Sequence, residues 1–150
     1  VRGASMEPTF HGGEYLIVDQ LSYRLGNPER GDVIILRYPK DESVYFIKRV
    51  IGLPGETVEI VGASVIIQPV SGDTPITLDQ SYIPEERLQN EYGVYHLADD
   101  EYFVMGDNRR ESSDSRSWGP LPARDVVGKA FIRLLPVNRI DVFPGILNNQ

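Results

Sequence analysis

Cysteine is absent from the 150 residues, which excludes a disulfide framework, a thiolate metal site and a cysteine nucleophile. Histidine is nearly absent: His11 and His96 are the only two and lie far apart, so a His-rich metal site or a Ser-His pair has little support. No apolar run approaches the roughly 18 residues that a membrane helix needs. The start, Val1-Arg2-Gly3-Ala4-Ser5, lacks the apolar segment of a secretory signal. Because it opens on Val1 rather than Met, an upstream segment is expected to be missing. Basic residues are outnumbered, 15 Lys and Arg against 22 Asp and Glu, for a formal net charge of −7. That balance argues against a general nucleic-acid binder. A hydrophobic share of 41% is enough for a core and too high for a disordered chain, and the length suits one domain, alone or with a small appendage.

The charge is unevenly spread. Residues 50–105 hold ten acidic residues and one basic one, Arg87, while the rest of the chain is net +2. Acidic runs are usually solvated faces; the sharper reading is a middle segment turned away from an anionic surface that the two flanks approach.

Strand signals dominate. Tyr15–Val18, Asp32–Arg37, Tyr45–Ile47, Val58–Val61, Ser64–Ile67, Glu101–Met105 and Gly128–Leu135 are short and rich in β-branched or aromatic residues. Turn formers separate them, as at Gly12-Gly13, Gly26-Asn27-Pro28, Pro54-Gly55 and Ser71-Gly72-Asp73. With 11 Pro and 14 Gly there is little room for long helices; the best helical candidate is the short stretch at Pro84–Leu88, where Pro opens a helix. The expectation is an all-β protein of mostly antiparallel coiled sheets with a barrel-like core. Residues 1–56 and 98–150 form that core, and residues 57–97 a small acidic β insertion or cap.

Three segments carry chemistry. Ser5 stands in Gly3-Ala4-Ser5-Met6-Glu7-Pro8-Thr9. Small residues before it admit a substrate backbone, and Pro8 stiffens the exit from the turn. A serine hydroxyl is a weak nucleophile and needs a base; alone, this segment fits a surface turn equally well. Lys48 stands in Tyr45-Phe46-Ile47-Lys48-Arg49-Val50-Ile51, where strand alternation puts Phe46 and Lys48 on one face and Ile47 and Arg49 on the other. A lysine among apolar neighbours is desolvated, and neutrality near pH ~8 needs a fall of roughly 2.4 units from ~10.4, or ~3 kcal/mol. Such an amine can take a serine proton without histidine, although an isolated strand lysine is usually solvated. The third segment, Gly106 to Gly119, is dense in hydrogen-bonding side chains; Asp114 with Arg116 suits a bidentate lock, and Trp118 suggests that the loop packs onto the body.

Together these segments resemble the type I signal peptidases, membrane-anchored Ser-Lys endopeptidases. The matching blocks, in the family's order, are Ser5-Met6-x-Pro8-Thr9, Gly31-Asp32-Val33, Lys48-Arg49-Val50-Ile51-Gly52-Leu53-Pro54-Gly55, and Gly106-Asp107-Asn108-Arg109 with Ser112, Asp114-Ser115-Arg116 and Trp118-Gly119. The resemblance implies Ser5 as nucleophile and, through its N–H, oxyanion donor, with Lys48 as general base. It implies Ser112 as the serine bonded to the lysine. Asp107, Arg109, Asp114, Arg116 and Arg49 would hold the site, and Met6, Phe10, Leu16, Ile35, Phe46 and Ile47 would line the cleft. The implied substrate is the signal peptide of an exported preprotein, cut after small residues of Ala-x-Ala type at the outer face of the cytoplasmic membrane, with the secretion channel as a possible partner. No metal, organic cofactor or nucleic acid is implied. The membrane surface is a further implied partner, with Met6, Phe10 and either Phe143 or Ile146 expected to dip into it. Gly3 departs from Gram-negative members, which carry a Ser there as second oxyanion donor, and the short middle segment favours a compact bacterial form. Two other readings stand: a self-cleaving Ser-Lys regulator with a related fold, and a non-catalytic binding or assembly module, which loss of the Ser or Lys would signal.

Overall fold

The computed structural model describes residues 1–21, 23, 26–135, 141, 142, 144 and 145. Among them the chain runs through β1 (Tyr15–Asp19), β2 (Val33–Tyr38), β3 (Asp41–Gly52), β4 (Thr57–Gly62), β5 (Ser64–Gln68), β6 (Ile76–Thr77), β7 (Glu91–His96), β8 (Glu101–Met105), β9 (Leu121–Pro122), β10 (Val126–Leu135) and β11 (Asp141–Val142). One sheet has the order β1-β10-β2-β3-β8-β9, with β11 also on β10; the second has the order β6-β5-β4-β7. Every strand pair is antiparallel. Among the described residues helix is confined to single turns, including Glu85–Arg87, where the Pro84 stretch was expected to turn, and Ser115–Trp118. The all-β, mostly antiparallel expectation is therefore met.

Alternation along β8 explains how the layers stack. Tyr102 and Val104 join Ile34, Leu36, Val50 and Leu121 in one buried cluster. Phe103 and Met105, on the other face, join Ile51 with Val58, Ile60, Val65 and Ile67 of the second sheet and with Leu97 just after β7. A strand covered on both faces reads as a continuous apolar run rather than an alternating one, and each such side chain contributes roughly 1.5–3 kcal/mol on burial. Gly52 marks where the sheets meet: a Cβ there would lie 2.6 Å from Val58 Cγ2 and 2.9 Å from Leu97 Cδ1.

β3 is the longest strand, twelve residues where the apolar signal covers only Tyr45–Ile47. Its polar start, Asp41-Glu42-Ser43, is exposed but is carried by the hairpin register, which pairs Tyr38 with Asp41 and continues through Ile34 with Lys48. β7 gave no strong strand signal because its two most apolar alternate residues, Tyr92 and Val94, are its exposed ones; pairing with β4 from Thr57↔His96 to Gly62↔Glu91 makes it a strand. Phe143 and Ile146 lie outside the described residues.

Candidate active site

The N-terminal segment folds as tight turns against the large sheet. Glu7 N–H donates to Ala4 O at 3.1 Å and Phe10 N–H to Met6 O at 3.0 Å. Met6 and Phe10 turn inward, 1% and 0% exposed, packing with Val33 and Ala130. That burial corrects two expectations. Neither residue reaches a bilayer, and neither lines the cleft; both anchor the turn that carries Ser5 from below, because an apolar side chain in a short surface turn gains most by entering the nearest core.

Ser5 is thereby held beside β3. Lys48 is 3% exposed, and its Nζ donates to Ser5 Oγ at 2.7 Å across 43 residues of sequence. The amine also lies 5.1 Å from the centre of the Phe46 ring, as same-face strand alternation requires. Burial pushes the Lys48 amine down to about 8; the Asp114 and Asp107 carboxylates pull the other way, and Arg116 works with burial. A hydroxyl held against an amine that is half neutral near pH 8 has a base within reach of its proton.

Behind the pair lies a buried ionic layer. Arg49 Nε and Nη2 donate to the two Asp107 oxygens at 2.9 and 2.8 Å, with both side chains 1% exposed. Arg49 Nη1 donates to the carbonyls of Gly31 and Gly145, and Thr9 Oγ1 to Asp107 Oδ2. A buried pair is tolerated only when its remaining donors and acceptors are met in this way. Asp114 receives Arg116 Nε at 2.8 Å, Arg116 Nη2 at 2.9 Å and Gly106 N–H at 3.0 Å, and it caps the Ser115–Trp118 turn. This is the expected bidentate lock. Arg109 Nε donates to Gly106 O, and Arg116 Nη2 to Arg109 O.

Ser112 departs from expectation. Its Oγ is buried and has no hydrogen-bond partner among the described residues. The hydroxyl sits against Gly106, where a Cβ would collide with it and would approach Ser5 O to 2.5 Å. Ser112 thus packs beside the Ser5 loop while the Lys48 amine bonds to Ser5 instead.

A cleft of about 430 Å³ opens from Ser5 and Lys48 between β1 and β3. Leu16, Ile35, Phe46 and Ile47 line it, joined by Tyr15, Val18, Tyr45, Val1 and Arg2.

Several supporting residues had no signal in the sequence. Each buried arginine of the layer receives a partner from the 80–91 segment that runs into β7: Gln80 Oε1 accepts from Arg109 Nη1 at 2.5 Å, the Tyr82 ring covers Arg49 at 4.7 Å, and Glu91 accepts from Arg116 Nη1 at 2.9 Å. Gln80 and Tyr82 lie in an irregular acidic stretch with no periodicity to mark them. Asn108 donates its backbone N–H to Ser5 O at 2.9 Å and its Nδ2 to Ala4 O at 3.1 Å; its place in the polar block was the only clue. Ser115 Oγ accepts from Val104 N–H at 3.0 Å.

The family model described as signal peptidase, peptidase S26, matches residues 1–135. A probable signal peptidase I-2 of Synechocystis sp. is 39% identical over 145 residues, covering 93% of this chain and 63% of that protein. The signal peptidase I of Pseudomonas aeruginosa is 32% identical over 175 residues, covering 87% of this chain and 62% of its own length. A crystal structure of a signal peptidase I from Enterococcus faecalis superposes with a TM-score of 0.55 at 28% identity, over 68% of this chain and 95% of that one. The chain thus spans less than two thirds of both of these curated relatives.

Proposed function

The chain belongs to the signal peptidase family, peptidase S26, and from that membership we propose that it is a serine endopeptidase that removes signal peptides from exported preproteins. The observation that carries the reading is the 2.7 Å contact between Lys48 Nζ and Ser5 Oγ at the end of an apolar cleft. Ser5 Oγ attacks the scissile carbonyl, and neutral Lys48 takes its proton. The Ser5 N–H stabilises the oxyanion, and the C–N bond breaks as Lys48 protonates the leaving amine. Water, activated by the same lysine, then hydrolyses the acyl-enzyme. Asp107, Arg109, Asp114, Arg116 and Arg49 hold the loops that present Ser5 and Lys48.

Specificity rests on exclusion. Leu16, Ile35, Phe46 and Ile47 leave room for small side chains at the first and third positions before the cut, while an Ala methyl itself adds only ~1 kcal/mol. The reading places the reaction at the outer face of the cytoplasmic membrane. Among the described residues no helix is long and apolar enough to cross a membrane.

The test is cleavage of an Ala-x-Ala peptide in detergent or lipid across pH 6–10. Wild type is expected to cut after the second Ala, with a rate that rises with pH to a midpoint of about 8, where Lys48 loses its proton. Ser5→Ala and Lys48→Ala are expected to be inert. Folded, inactive wild type, here and with an upstream membrane helix fused to it, points instead to a binding module.

A further inference from the structure

The peptide group between Ala4 and Ser5 carries the N–H that the proposed mechanism aims at the oxyanion. Among the described residues only the Glu7–Pro8 bond is cis, so the Ala4–Ser5 unit is trans and planar, and its N–H points opposite to the Ala4 carbonyl. Whatever holds that carbonyl therefore holds the oxyanion donor. One holder is Glu7 N–H, which belongs to the same turn. The other comes from 104 residues away: Asn108 Nδ2, at 3.1 Å.

Asn108 makes a second contact on the far side of the nucleophile, donating its backbone N–H to Ser5 O at 2.9 Å. One residue thus clasps the peptide planes on both sides of Ser5. It is itself well held. Its side chain is buried, 3% exposed; Glu111 N–H donates to its carbonyl at 3.0 Å; and its neighbours Asp107 and Arg109 are fixed by Arg49 and by the Gly106 carbonyl. Among the described residues the Ser5 N–H donates to no group, which leaves it for a ligand.

We propose that Asn108 is a positioning residue of the oxyanion hole, holding the Ala4–Ser5 peptide plane so that the Ser5 N–H meets the oxygen on which charge develops. The inference rests on the reading of Ser5 as nucleophile. When Ser5 Oγ bonds to the carbonyl carbon, the carbonyl π pair moves onto oxygen, and the Ser5 proton passes to Lys48. That negative charge exists near the transition state and not in the bound substrate, so the aim of the N–H affects turnover rather than binding. Gly3 offers no hydroxyl as a second donor, which makes the aim of this one N–H more consequential.

The experiment compares wild type, Asn108→Ala, Asn108→Ser and Ser5→Ala in three measurements: kcat and KM on an Ala-x-Ala peptide, affinity for the non-covalent product peptide, and inhibition by the matching peptide aldehyde. Ser5 Oγ adds to the aldehyde carbon, and the aldehyde oxygen then occupies the oxyanion position, so its affinity tracks the transition state. Asn108→Ala is expected to lower kcat by roughly 10²-fold, the low end for losing a donor. KM and product-peptide affinity should stay within about twofold, and aldehyde affinity should fall in parallel with kcat/KM. The pH midpoint should not move. Asn108→Ser keeps a donor in the site and is expected to fall between. A kcat within about threefold of wild type overturns the inference, as does a loss shared equally by product-peptide and aldehyde affinity, which marks a residue that only supports the fold. If the alanine variant does not fold, the serine variant is judged by the same parallel. A Ser5→Ala protein that still cleaves overturns the underlying reading; an inert Ser5→Ala beside an unimpaired Asn108→Ala overturns this inference alone.

Discussion

Replacing Lys48 by Met should abolish cleavage and stabilise the fold at neutral pH. Methionine nearly matches lysine in length and volume, so the packing around Phe46 and Ile34 survives. The difference is charge. The Lys48 amine falls from 10.5 to about 8 on folding because it is buried, and the difference corresponds to about 3 kcal/mol. The sign follows from proton counting. Below pH 8 both folded and unfolded chains carry the ammonium, and the folded one bears the full cost of burying it. Between about 8 and 10.5 the folded chain has released its proton and the unfolded chain has not, so wild-type stability rises through that window relative to Lys48→Met. Losing the Ser5 hydrogen bond returns about 1 kcal/mol of the gain. Lys48→Met should therefore be about 2 kcal/mol more stable than wild type at pH 7, with the advantage vanishing by about pH 10. Urea denaturation at pH 7, 8.5 and 10 with equal m-values checks this, and tyrosine titration, common to both proteins, cancels in the difference. A variant less stable than wild type at pH 7, or a difference that does not change with pH, would falsify the account of a buried, charge-strained lysine.

Three other perturbations probe the scaffold and the cleft. Asp107→Leu leaves the Arg49 guanidinium buried without its carboxylate and should cost about 3–5 kcal/mol, with Arg49→Met added in the same chain recovering most of it; chemical denaturation of the two variants measures both. Gly106→Ala drives a methyl into Ser112 and the Ser5 carbonyl, so it should cost about 1–3 kcal/mol and most of the activity, whereas a wild-type rate would mean that the loop relaxes freely. Ile35→Ala deepens the cleft wall and should raise cleavage after Val relative to Ala by about 10-fold or more; an unchanged ratio of kcat/KM values would place the size filter elsewhere.

Much of the fold was legible because strand signals are local. Seven apolar runs bounded by Gly and Pro turns became β1, β2, β3, β4, β5, β8 and β10, since period-two alternation and β-branched side chains act within a few residues. β7 and the first third of β3 were not legible. Their residues are exposed and polar or carry aromatics outward, and only cross-strand hydrogen bonds to a partner already in place make them strands.

The candidate site divides along the same line. Composition along the chain excluded cysteine chemistry, singled out Ser5, Lys48 and the Gly106–Gly119 block, and placed Lys48 on the face it shares with Phe46, because residue type and strand parity belong to the chain itself. The tertiary structure decided what depends on distance and burial. It set the 2.7 Å approach of two residues 43 positions apart and the depressed lysine that burial produces. It turned Met6 and Phe10 into the core rather than toward the cleft, and it brought Gln80, Tyr82 and Glu91 to three arginines. None of these is a property of a local segment: desolvation and hydrogen bonding are set by which groups the folded chain crowds together, and that follows only from the packing of both sheets at once.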